Sequence, residues 1–181
     1  MRFVILISLL LVGAPTASCA PQSVHRDDKN AGFQIEYPSD WTIWNPEEAD
    51  CHFAILSPMH RIRVFVSSSV IDQSVLPRTP KILDRWADSF FSRDYPSVTH
   101  NGARIREDLF RPCAEVRLSM RRTNGRPMDS EILMFTDFYN DRSHTRLWKL
   151  MAIMDDATPT AAELAQWEQI KKSIQILRFS E

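Results

Sequence analysis

The chain has 181 residues, 25% of them charged, with 22 lysines and arginines against 23 acidic residues and a formal net charge of -1. That balance gives no global field to attract nucleic acid or a charged surface, and the length suits one domain around one core. With only 4 glycines, a loop that cradles phosphate through backbone amides has little to be built from.

The first twenty residues carry one charge, Arg2, then an apolar run from Phe3 to Val12 and small residues around Cys19. This reads as an export signal, too short to span a bilayer as a stable helix. Thr16-Ala17-Ser18-Cys19 resembles a lipobox, with Thr16 where an aliphatic residue is usual, and would leave Cys19 as an acylated first residue. The alternative is cleavage after Ala20, which discards Cys19. The expected location is the periplasm, as a membrane-anchored lipoprotein. Residues 21–31 are polar and lack periodicity, which predicts a disordered tether and places the folded domain at 32–181. Cys51 and Cys113 remain after the leader, and an even pair in an oxidising compartment predicts a disulfide, worth about 3–4 kcal/mol in the chain-entropy model. Two buried unpaired thiols are the other reading.

Phe33, Ile35 and Tyr37 alternate with Gln34 and Glu36 before Pro38, which predicts a half-buried strand. Further strands are expected at 41–44, 51–56 and 61–71. Thr79-Pro80 then caps a helix whose Ile82, Leu83, Trp86, Ala87, Phe90 and Phe91 recur at helical spacing. Strands resume at 98–100, 103–107, 114–122, 128–139 and 145–154. Asn101-Gly102 and Asn124-Gly125 each predict a tight type I′ hairpin. Ile132 to Phe135 is apolar on both faces, so both sides of the sheet must be covered there. Thr160 and Glu163 form a capping box. The helix it opens turns Leu164, Trp167, Ile170, Ile174 and Leu177 inward and Glu168, Lys171 and Lys172 to water. Hairpin-linked strands with packed helices make the fold α+β, an antiparallel β-sheet flanked by helices.

The stretch from Gly32 to Trp41, an aromatic strand ending Tyr37-Pro38 with Trp41 three residues on, resembles the opening of exported PsbP-like and DcrB-like proteins. The order of elements from 31 to 179 is similar as well. The resemblance implies the PsbP-like fold and a scattered set of roles: photosystem accessory subunits, a binder of a nuclear transport GTPase, envelope lipoproteins and cytosolic toxin chaperones. It brings no shared catalytic motif, and fold alone does not assign function.

The histidines are scattered at His25, His52, His60, His100 and His144, without metal-ligand spacing. Cys51 and His52 are adjacent on a strand and therefore point to opposite faces. Glu47-Glu48 and Asp155-Asp156 are carboxylate pairs without the spacing of a calcium loop. No cofactor and no metal site is expected, and the chain does not read as an enzyme. Its one local bias is arginine, from Arg104 to Arg126, where Arg117, Arg121, Arg122 and Arg126 suggest a basic hairpin end that docks an envelope protein or an acidic envelope component. A charged, aggregation-resistant strand edge would carry the same residues. The leading expectation is a non-enzymatic envelope accessory or adaptor protein. A small-ligand or metal-binding module, with a cleft near Trp86 or Trp148, is the alternative. A hydrolase would need dispersed histidines and carboxylates brought together by the fold.

Overall fold

The computed structural model describes residues 22–45, 50–72, 80–92, 97–121, 124–138, 144–155 and 158–177. The leader with Cys19, the Glu47-Glu48 pair, Thr79, Arg122 and Asp156 lie outside these residues.

Strands β1 (Ser23–Asp28), β2 (Phe33–Pro38), β3 (Thr42–Trp44), β4 (Cys51–Leu56) and β5 (Ile62–Asp72) precede helix α1 (Pro80–Ser92). Strands β6 (Ser97–Arg106), β7 (Cys113–Arg121), β8 (Pro127–Phe138) and β9 (His144–Asp155) follow, then helix α2 (Ala161–Ser173) and the short β10 (Gln175–Ile176). The main sheet has the order β3-β4-β5-β9-β8-β7-β6, and β1-β2-β10 form a smaller sheet. Every pairing is antiparallel. The connection through α1 carries the chain to the far edge of the main sheet, and the β6-to-β9 meander brings it back against β5.

Strand alternation splits the core between the two faces. Leu83 and Ala87 of α1 pack over Phe65, Val116, Leu118, Ile132, Met134 and Leu147. On the other face, Trp167, Ile170 and Ile174 with Phe33 and Ile35 cover Val64, Leu133, Phe135, Trp148 and Leu150. The doubly apolar run in β8 is thus covered on both sides, as its sequence demands. Trp41 and Trp44 also divide between the faces. Trp41 donates its indole N–H to Gln166 at 2.8 Å, and Trp44 meets Phe65 edge-on at 5.5 Å.

Several expectations are corrected. Residues 23–28 are not a tether but the outer strand β1, held by the full β2 ladder from Ser23↔Pro38 to Asp28↔Phe33. Asn101-Gly102 is not a hairpin turn. It is a bulge within one continuous β6, and Gly102 has φ +124, a backbone that favours glycine. The second Asn-Gly pair does join two strands, but the register Arg121↔Pro127 leaves a five-residue connection, 122–126. Among the described residues of that turn only Gly125 has positive φ. Cys51 and Cys113 are not joined in a disulfide. Cys113 packs in the core under α2 and Cys51 against the cluster under α1, so the sheet separates them.

The Thr160–Glu163 capping box forms as predicted. It is anchored further by Ser57, whose hydroxyl donates to Glu163 at 2.8 Å. Lys171, expected in water, is fully buried instead, its ammonium bonded to Glu131 and Glu168. Leu164, expected inward, is 40% exposed.

Removing the Lys171 ammonium leaves the buried Glu131 carboxylate with only the more distant Arg117, at 3.8 Å, to offset its charge. Lys171→Met is therefore expected to destabilise the fold by about 3–5 kcal/mol, read from urea unfolding, with Lys171→Met/Glu131→Gln recovering part of the loss. Thiol labelling in denaturant without reductant should modify both Cys51 and Cys113. In the native state Cys113 should resist alkylation, because burial pushes its thiol up to about 12; a Cys51–Cys113 linked peptide would contradict this arrangement.

Candidate functional site

On the α2 side, the main sheet changes character toward β6. Alternation brings Glu115 to the same face as Cys113, but here the facing residues are charged. The Glu115 carboxylate, 1% exposed, receives Arg104 at 3.0 Å, Arg106 at 3.2 Å and Arg117 at 2.9 Å. Arg106 also pairs with Asp108, and Glu131 receives Lys171 with Arg117 nearby at 3.8 Å. Burial alone would push the Glu115 carboxyl up; the hydrogen bond from Arg104 and the charges of Arg117 and Lys171 outweigh it and hold the group below its ordinary value. Asp108 is held down to about 2, chiefly by its hydrogen bond from Arg106.

The arginine bias of the sequence is therefore largely internal. Arg104, Arg106 and Arg117 neutralise buried and half-buried carboxylates. Arg111 donates to the Ile176 carbonyl at 3.1 Å and fastens β10. Of the proposed docking residues, Arg117 belongs to the ion cluster. Arg121 and Arg126 lie exposed beside the β7–β8 turn, where Arg121 donates to the Gly125 carbonyl at 3.2 Å.

Beside this cluster, between α2 and the β6-β7-β8 end, lies a groove of about 620 Å³ lined by Arg117, Asp129, Glu131, Met154, Leu164, Trp167 and Glu168 among others. The β6 bulge shapes its mouth, because it lets Asn101 donate to Ser119, which in turn donates to Asp129. Leu164 occupies the same helical stripe as Trp167, Ile170 and Ile174, yet it stays exposed at the groove while the other three are buried. The Trp167 indole N–H is buried with no hydrogen-bond partner. The groove thus offers an apolar centre with a charged rim. Nothing in the sequence between Leu164 and Lys171 separates the covered from the uncovered part of this stripe. Trp148 is buried in the core, and Trp86 lies with the Lys149 ammonium 5.7 Å from its ring.

Polar groups also converge at the tip of the β1–β2 hairpin. The ladder of β4 slips between Cys51 and Phe53, and His52 turns to Ser68 at 2.7 Å and to the Trp148 ring at 5.4 Å. Cys51 and His52 do not share a site, as strand geometry required. The sequence signal for this cluster was faint: Ser67-Ser68-Ser69 is a polar run between the apolar stretches 64–66 and 70–71 of β5.

No family model and no curated protein matches the chain. Several solved structures share its fold, among them the following two. The solution structure of cyanobacterial PsbP (CyanoP) from Synechocystis sp. PCC 6803 superposes with a TM-score of 0.54 at 12% identity, covering 92% of this chain and 98% of that one. The crystal structure of LpqN, described as involved in cell envelope biogenesis of Mycobacterium tuberculosis, gives a TM-score of 0.58 at 12% identity over 87% and 91% of the two chains. The fold is PsbP-like.

The ion cluster should make stability depend on pH. Because the folded Glu115 carboxyl lies below its ordinary value of 4.5, its contribution is present above that pH and is lost as the pH falls through the folded value. Acid unfolding followed by circular dichroism should show the steepest loss below about pH 4.5, and Glu115→Gln should flatten that limb while lowering stability at pH 7.

Proposed function

We propose that this protein is an exported, non-enzymatic accessory or adaptor protein of the cell envelope that docks a segment of a protein partner in the groove beside α2. The observation that carries this reading is Leu164. A leucine on the inward stripe of a well-capped helix remains exposed because the sheet beneath it gives way to the groove, next to a buried indole N–H without a partner. An apolar anchor with a polar rim is the usual form of a binding hot spot. The leader supports export, and the fold shared with LpqN supports an envelope role.

Exposure beside the β7–β8 turn favours Arg121 and Arg126 as the contact with an acidic partner, while Arg117 forms part of the Glu115 ion cluster. An acyl group on Cys19 would suit the same role. Strand β1 begins at Ser23, four residues later, so it would sit within about 14 Å of the lipid surface.

Crosslinking in intact cells followed by mass spectrometry tests the reading. A reproducible protein partner should be captured by the parent protein, lost in Leu164→Glu and reduced in Arg121→Glu/Arg126→Glu, with all variants folded. Unchanged capture in the folded Leu164→Glu variant would place the docking surface elsewhere.

A further inference from the structure

Asn101-Gly102 and Asn124-Gly125 share a reactivity as well as a sequence, because a glycine after asparagine leaves its peptide nitrogen unhindered toward the side-chain carbonyl. The two dipeptides sit in different backbones. We propose that Asn124 is a site of spontaneous modification, deamidating to aspartate or isoaspartate in the folded protein, while the sheet protects Asn101.

The step needs no enzyme and no oxidant. The Gly125 backbone nitrogen, its proton taken by hydroxide, attacks the Asn124 Cγ. A C–N bond forms to close a succinimide ring, and the Cγ–Nδ2 bond breaks to release ammonia, protonated by water. A second water then adds to one of the two ring carbonyls and reopens the ring. One opening restores the normal main chain with an aspartate side chain; the other routes the main chain through Cγ as isoaspartate. In either case a neutral carboxamide has become a carboxylate, with one water consumed and one ammonia released overall.

The β7–β8 turn favours this chemistry. Asn124 and Gly125 are exposed there, so water and base reach them. The Asn124 Oδ1 accepts the Arg126 backbone N–H at 3.1 Å. That bond folds the carboxamide back over the Asn124–Gly125 peptide, whose nitrogen must attack it, and draws electron density from Cγ. No described atom lies within 4 Å of the place a Cβ would take at Gly125, but Gly102 is equally open, so glycine alone does not separate the two sites. The backbone does. Asn101 lies inside β6, where the ladder to β7 holds at His100↔Leu118 and resumes at Gly102↔Arg117, and its Nδ2 donates to Ser119. Ring closure at Asn101 must first unpair that stretch of strand and release the amide.

The product carries a negative charge into the basic turn. Arg121 already donates to the Gly125 carbonyl at 3.2 Å, so a carboxylate at position 124 forms beside its guanidinium and competes with an acidic partner for it. This consequence rests on the docking reading above; the chemistry at Asn124 does not.

The test is to hold the purified, folded protein in mildly alkaline buffer, sample it over days, and map peptides by mass spectrometry after digestion in acid. The gain of one mass unit should accumulate at Asn124 about tenfold faster than at Asn101, since local opening must precede reaction at the second site. Mildly acidic buffer should slow it, and urea should bring the Asn101 rate up to that of Asn124. Folded Asn124→Gln, whose longer side chain closes a larger ring far more slowly, should lose the gain at that position and keep the Asn101 rate. Equal rates at the two asparagines in the folded protein, or an Asn124 that reacts only in urea, would overturn the assignment. In the capture experiment, folded Asn124→Asp should reduce partner recovery as Arg121→Glu/Arg126→Glu does. Unchanged recovery would overturn the link to docking alone, and a parent protein that captures no partner would count against the docking reading while the mass measurement still decides the modification.

Discussion

A carboxylate as deeply buried as Glu115 is stable only while the cations around it stay in place, and that requirement organises the β6-β7-β8 end of the molecule. Arg104 and Arg106 come from β6 and Arg117 from β7 itself, so the edge strand must keep its register with β7 along its length. Lys171 extends the same system to α2 through Glu131. The helix is thus pinned at both ends by buried polar contacts, Ser57 to Glu163 at its start and Lys171 to Glu131 near its finish, with Trp167 and Ile170 packed between. Such contacts add little stability relative to a well-packed apolar alternative, but breaking one partner of a buried pair is costly. Their effect here is geometric: α2 is held where its first apolar turn overhangs the groove.

Much of the fold was legible from local pattern. The alternation of β2, the doubly apolar run of β8 and the Thr160–Glu163 box each state a structure within a few residues. What was illegible depends on distant partners. Lys171, three residues after Glu168, has the look of a solvated helical pair, and only the approach of Glu131 from β8 explains its burial. Ser23–Asp28 shows no apolar alternation because β1 is an outer strand with mostly exposed side chains, stabilised by its ladder to β2. Asn101-Gly102 and Asn124-Gly125 are identical dipeptides with different outcomes, since the nine-residue β7 takes a partner of similar length and a hairpin at Asn101 would have cut that partner in half.

The candidate sites were less legible than the fold for the same reason. An arginine count along the sequence cannot distinguish a guanidinium offered to a partner from one closing on a buried glutamate. Among the described arginines of this stretch the second use dominates, and Arg121 and Arg126 lie exposed beside the β7–β8 turn. His52 and Ser68 are sixteen residues apart and meet only because β4 slips by one residue against β5. The His52–Ser68 contact and the groove therefore owe their shape to irregularities, one bulge in β4 and one in β6, set into otherwise regular ladders.

The bulge at Asn101 also bears on self-association. β6 is the last strand of the main sheet, and its outer row of backbone amides and carbonyls could template the strand of another molecule. A break in pleat and twist partway along that row interrupts any such intermolecular ladder. The residue that shapes the mouth of the groove is thus also placed to keep the molecule from polymerising along its open edge.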